Sequence, residues 1–197
     1  MDRFYFDIDD LRQKAIPADK SSVVKEKFIT YHEAKVESIK RLVQVPGDGE
    51  IYFIWTDNSF NAFTFIPYTI KQLQYIEELI ISTYSINSRI IDSLIRYMDK
   101  GLIKSVVLLI SDSLKFRMPK VVDNLESLSL QRENIEVRYS WNHSKITLMR
   151  TGENYFVVEG SGNWSENSRH EQYIFLNNKN VFEFRKTCMN EAIRVNR

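Results

Sequence analysis

The chain has 197 residues, 43% hydrophobic and 27% charged, with a formal net charge of +1 and a single cysteine, Cys188. That length suits one well-buried domain, and the composition excludes wholesale disorder. Near-neutral charge excludes a global basic field, so a nucleic-acid or phosphate partner has to be held by a local cluster. One cysteine excludes an intrachain disulfide; its helical surroundings give it a structural role, and the usage fits a reducing compartment. The opening "MDRFYFDIDD" lacks the basic region and apolar core of a secretory signal, and no apolar run is long enough to span a bilayer. A cytoplasmic protein with no membrane partner is expected.

In chain order, "SSVVKEKFITYHEAKVESIKRLVQ" (Ser21 to Gln44) sets Val24, Phe28, Tyr31, Val36, Ile39 and Val43 at helical spacing. Pro46, Gly47 and Gly49 then break the pattern. This predicts an N-terminal helical appendage over 1–46 and a main domain over 47–197. A strand is expected over Ile51 to Trp55, a helix over Tyr68 to Leu79, and a buried strand over Leu79 to Ser85. A helix from Asn87 to Gly101 follows, with an asparagine cap and a terminal glycine. Next come a strand in "IKSVVLLIS", a helix in "PKVVDNLESLSLQ" and a strand in "NIEVRYS". This alternation predicts an α/β fold with parallel strands. Three closely spaced strands, "SKITLMR", "NYFVVEG" and "HEQYIFL", come next, the first two joined by the turn "TGEN". A last helix is expected from Asn180 to Val195.

The chemistry-bearing residues gather around that hairpin. Residues two apart on a strand share a face, so His143 and Lys145 project together while Ser144 and Ile146 turn away. A tight hairpin at "TGEN" brings Ser161 and Asn163 back beside them. Gly160 and Gly162 remove side-chain bulk where a ligand could approach the backbone, and Ser161 and Asn163 add neutral hydrogen-bond groups. Such a set suits an oxyanion. Phosphodiester cleavage needs a nucleophile, a proton donor for the leaving group, and donors around the phosphate oxygens. An imidazole serves in either of the first two roles, and Lys145 and Asn163 supply the third. No carboxylate cluster suited to magnesium is present, so neither a metal nor another cofactor is expected. A single chain lacks a second histidine on that face, because His170 lies on another segment and His32 in the appendage; a symmetric dimer supplies one.

His143-Ser144-Lys145, followed by Gly160-Ser161-Gly162-Asn163, resembles the His-x-Lys and Gly-Ser-x-Asn signature of the phospholipase D superfamily. Short members of that superfamily carry one signature per chain and pair two chains about a twofold axis. The upstream "IISTYSINSRIIDSLIRYMDKGLIKSVVLLISD" and the downstream "NWSENSRHEQY" resemble a phage- or prophage-associated branch, so the similarity runs from about Tyr52 to Glu191. The resemblance implies a phospholipase D-like mixed sheet flanked by helices, with His143 as covalent nucleophile and the partner's His143 as general acid. It also implies Lys145 and Asn163 on phosphate oxygens, Ser161 hydrogen-bonding among them, and Glu171 orienting the histidine. Arg150 is a departure, since the superfamily usually has aspartate at that place.

Several residues read two ways. Trp164 and Tyr84 suit either base stacking or the core. Lys115, Arg117 and Lys120 suit either a local phosphate field at a strand's carboxyl end or a solvated loop. His170 is a surface histidine or one that touches substrate. His32 has the first half of a zinc-helix pattern, but Val36 stands where the second histidine belongs. The resulting expectation is a metal-independent, homodimeric phosphodiesterase cleaving DNA or RNA through a phosphohistidine. The alternatives are a catalytically inactive nucleic-acid-binding module and a phage- or prophage-associated interaction protein.

Overall fold

Among the described residues eight strands make one mixed sheet in the order β1-β2-β8-β7-β6-β3-β4-β5. They are β1 (Thr30–Val36), β2 (Glu50–Thr56), β3 (Ile76–Thr83), β4 (Ile103–Ser111), β5 (Ile135–Ser140), β6 (Ile146–Thr151), β7 (Asn154–Gly160) and β8 (Gln172–Asn177). The computed structural model describes residues 30–36, 39–56, 60–165 and 170–192. Strands β3, β4 and β5 are mutually parallel, while β6, β7 and β8 run back and forth between β3 and β2. The carboxyl ends of β2, β3, β4, β5 and β7 and the starts of β6 and β8 therefore share one edge of the sheet.

Among the described residues five helices flank the sheet: α1 (Phe65–Leu73), α2 (Ser88–Asp99), α3 (Leu114–Arg117), α4 (Pro119–Gln131) and α5 (Lys179–Glu191). Their starts are chemically marked. Asn87 caps α2 by accepting from the Ile90 amide at 3.0 Å, and Asn178 caps α5 by accepting from the Val181 amide at 2.9 Å. Helices α1, α2 and α4 bury one face of the sheet through Phe65, Ile91, Leu94 and Leu125. Helix α5 covers the opposite face, where Phe182 and Met189 meet Leu148, Val157 and Leu176. Alternating side chains of β6 and β7 serve the two layers, which fixes their register. Among the described residues no helix is long and apolar enough to cross a membrane.

Two expectations need correction. The helix read over Ser21 to Gln44 is not what stands at Thr30–Val36, which forms β1 and pairs parallel to β2 with Tyr31 opposite Ile51. The β-branched and aromatic residues Thr30, Tyr31 and Val36 suit a strand, and the open edge of β2 offers a full ladder of hydrogen bonds that outweighs local periodicity. The remainder of that segment up to residue 29 lies outside the described residues. The expected break is itself tied to the sheet: Asn177 donates to the Pro46 carbonyl at 3.3 Å, and the Gly49 amide donates to the Asn177 carbonyl at 2.9 Å. Further on, the helix expected over Tyr68 to Leu79 stops at Leu73, where Gln74 takes a left-handed conformation (φ 72°), and β3 begins at Ile76. Ile76 and Leu79 are fully buried in the sheet, which is where their side chains lose most contact with water.

Candidate active site

The segment between β5 and β6 is held by one amide side chain. Asn142 donates through Nδ2 to Ser82 Oγ at 2.8 Å and to the Leu109 carbonyl at 3.3 Å. Its Oδ1 accepts from the Ser144 amide at 2.9 Å and the Ser144 hydroxyl at 2.7 Å. Asn142 thus joins the carboxyl ends of β3 and β4 to the start of β6. Ser144 bonds Ser82, while His143 and Lys145, in the segment that leads into β6 and not within the strand, meet each other. Lys145 Nζ donates to the His143 carbonyl at 2.9 Å and lies 3.3 Å from His143 Nδ1.

An aromatic ring completes this half of the site. His143 is exposed and tilted over Tyr84, with ring centroids 4.7 Å apart. The Arg117 guanidinium lies 4.2 Å from the same ring's centroid and donates to the Tyr84 carbonyl at 3.0 Å. Tyr84 therefore belongs to the site, and Arg117 reaches it through Tyr84. Lys115 stacks its ammonium 4.5 Å from the Tyr139 ring centroid. Burial pushes the Tyr139 hydroxyl up to about 12, with further contributions from Glu126 and Asp123.

The other half comes from the hairpin. Gly152 (φ 56°) makes the turn between β6 and β7, which aligns Ile146 with Glu159 and lets the Gly160 amide donate to the Lys145 carbonyl at 3.3 Å. Ser161 donates its hydroxyl to the Glu171 carboxylate and accepts from the Gln172 amide at 3.1 Å. Glu171 is anchored by its own amide, which donates to Thr56 Oγ1 at 2.7 Å. Asn163, just beyond β7, has a buried Oδ1 with no hydrogen-bond partner. Burial lowers the Lys145 pKa from its ordinary value, and Glu171 partly opposes that shift.

These contacts put His143, Lys145 and Ser161 on one edge, with Glu171 close enough to act on Lys145. They do not put Glu171 on His143: the carboxylate bonds Ser161, while the imidazole meets Lys145 and Tyr84. A charged Lys145 donating to Nδ1 requires a lone pair there, so the neutral ring carries its proton on Nε2.

Other expected contacts change role. Trp164 is fully buried, donates from Nε1 to Thr147 Oγ1 at 3.0 Å and packs edge-on against Phe63, so it cannot stack on a ligand. Gly160 and Gly162 make room for Tyr173, not for a ligand. A Cβ at Gly162 would stand 1.9 Å from the Tyr173 hydroxyl oxygen, and one at Gly160 would stand 2.2 Å from the Gln172 carbonyl oxygen. His170 stacks on Trp55 and its Nδ1 lies 2.7 Å from the Thr56 carbonyl oxygen. His32 sits in β1. Glu166 to Arg169 lie outside the described residues. Arg150, at the far end of β6, ion-pairs with Glu77 and lies 3.8 Å from Glu78. Among the described residues no three His, Cys, Asp or Glu side chains form a metal-holding group. Sequence reasoning missed Asn142 and Ser82. The only signal was an amide immediately before the histidine, and a turn asparagine explains that equally well.

The sequence matches no family model and no curated relative. Solved structures do resemble it. Polyphosphate kinase from Porphyromonas gingivalis superposes with a TM-score of 0.52 at 17% identity, covering 75% of this chain and 27% of that one. Phosphatidylserine synthase from Haemophilus influenzae Rd KW20 gives 0.50 at 13% identity, covering 74% and 38%. TrmBL2, an archaeal chromatin protein, gives 0.47 at 12% identity over 75% and 51%. The chain thus spans about half or less of each of these structures. With its mixed sheet flanked by helices, the chain has a phospholipase D-like fold.

Proposed function

We propose that the protein is a metal-independent phosphodiesterase acting on nucleic acid, with His143 as nucleophile and a second copy of the chain completing the site. The observation that carries this reading is the contact between the exposed His143 imidazole and the partly desolvated Lys145 ammonium, at the carboxyl edge of the parallel strands. Ligands commonly bind at that edge of α/β sheets. A phosphate entering there draws Lys145 off Nδ1 and onto its own oxygens, which frees the ring proton to move to Nδ1 and exposes the Nε2 lone pair. Nε2 then forms a bond to phosphorus while the bond to the leaving oxygen breaks, and that oxygen takes a proton from the partner's His143. Water hydrolyses the phosphohistidine in the return step. Lys145 and Asn163 Nδ2 stabilise the charge that develops on the oxygens.

The resting arrangement also supports a second reading, a binding module without turnover, because the ring's Nδ1 is occupied and Glu171 is engaged elsewhere. One experiment separates them. Labelled DNA and RNA are incubated in EDTA with the protein and with His143→Ala. The enzyme reading expects cleavage by the former and a loss of at least about a thousandfold in the variant, with an unchanged melting midpoint because His143 is exposed. An acid-labile phosphate on the trapped protein would identify the intermediate. Undiminished cleavage by His143→Ala would remove the proposed nucleophile. A strictly monomeric mass during turnover would remove the shared site.

A further inference from the structure

We infer that the site takes nucleic acid as a single strand, with Trp141 and Phe116 as the rings on which its bases stack. This rests on the phosphodiester reading of the His143 edge and adds the form of the substrate. Trp141 and Phe116 are the most exposed aromatic side chains among the described residues, at 91% and 90%. Trp141 lies two residues before His143. Its backbone is fixed on both sides: the Ser140 carbonyl accepts from the Asp112 amide at 2.9 Å, and Asn142 is bonded to Ser82. Phe116 lies in α3 between fully buried Leu114 and Arg117, whose guanidinium rests on Tyr84. Both rings are large apolar surfaces held in water by an ordered backbone.

Charge accompanies the rings. Lys145, Arg117 and Lys115 stand along the start of β6 and the carboxyl ends of β3, β4 and β5, resting on imidazole or aromatic rings. Among the described residues none of the three makes an ion pair with a carboxylate. A strand crossing from His143 over β3 and β4 toward β5 meets cations for its phosphates and rings for its bases. This combination is the usual means of binding single strands, since unstacked bases expose both faces. In a duplex those faces are buried against neighbouring bases, and a polyphosphate chain has none.

The test uses His143→Gln as a non-cleaving background, in EDTA, with fluorescence anisotropy of a labelled single-stranded oligonucleotide of about a dozen nucleotides. Adding Trp141→Ala or Phe116→Ala is expected to weaken binding roughly five- to a hundredfold each. Affinity for inorganic polyphosphate should stay unchanged, and the matching duplex should bind more weakly and be insensitive to both rings. Single-strand affinity that ignores both ring substitutions overturns the inference, as does a duplex bound equally well. Loss of all anion binding in Lys145→Ala, with silent ring variants, assigns the edge to polyanions without bases and also overturns it. None of these outcomes touches the role of His143 in cleavage, which the EDTA assay tests separately. Both rings are exposed, so neither substitution threatens folding.

Discussion

Strand β6 carries charge at both ends, and the two ends hold it in opposite ways. At the Arg150 end the charges meet opposites: Arg150 pairs with Glu77, Lys104 lies 3.8 Å from Glu77, and Lys186 bonds Glu78 at 2.7 Å. At the His143 end Lys145, Arg117 and Lys115 rest on imidazole, rings and carbonyls. Partly exposed ion pairs stabilise by only about 0–1 kcal/mol each. Their main effect is to cancel the local field. Cations without a carboxylate partner leave the field standing, and a phosphate that arrives gains charge-assisted hydrogen bonds. Neutrality at one end and cations without an ion pair at the other distinguish the two clusters that flank the strand.

The sharpest way to break that contrast is Lys145→Met. Cleavage should fall about 10²–10³-fold, while the thermal midpoint holds or rises, because the lost ammonium was disfavoured by burial. A midpoint that collapses would make Lys145 structural, like Arg150. Asn142→Ala comes next. It leaves Ser82 and Ser144 without their amide partner, and a loss of about 1–3 kcal/mol is expected in urea unfolding, together with lower activity. The reciprocal change, Arg150→Asp, installs the residue usual in the superfamily beside Glu77 and Glu78. Like-charge repulsion should cost about 1 kcal/mol and leave turnover per folded molecule unchanged; a fall in turnover would show that the two ends are coupled.

The smallest effects are in pH. If Lys145 acts as a cation, activity declines as pH rises through a pKa below the usual lysine value, and Glu171→Gln moves that decline lower still by removing the carboxylate that opposes the shift. For stability the sign is opposite. The native state holds this proton less tightly than the unfolded chain, so Lys145 costs stability while both states are protonated. That cost fades as pH rises from the lowered native value toward 10.5. Urea midpoints of the protein and of Lys145→Met should therefore converge in that window.

Periodicity and caps make much of this fold legible in the sequence: the strand in "IKSVVLLIS", the helix in "PKVVDNLESLSLQ" and the Asn87 cap all stand where the residues put them. Local spacing failed at Thr30–Val36, where strand pairing with β2 decides, an interaction invisible in a window of residues. It left Trp164 undecided between stacking and the core and read the two glycines as room for a ligand, because their roles depend on Thr147, Phe63 and Tyr173 approaching from elsewhere in the chain. The glycine spacing marked a close approach correctly. The approaching group is a tyrosine ring of the protein itself. A direct check is Gly162→Ala, expected to destabilise by about 1–3 kcal/mol through overpacking, with partial rescue by Tyr173→Phe, which deletes the oxygen the new methyl would strike. Strand alternation reads His143 and Lys145 as a pair; they do meet, but in the segment before β6, where Lys145 bonds the His143 carbonyl. The grip of Asn142 on two other strands is not legible in the sequence.

That grip bears on when the site comes into being as the chain folds. Asn142 and Ser82 are 60 residues apart, Asn142 and Leu109 are 33 apart, and Glu171 reaches Thr56 across 115. Contacts so distant along the chain have to close large loops and form slowly. Helical signal should therefore return early in refolding, and competence to bind an anion should return only with the last phase, when β6 has inserted between β3 and β7.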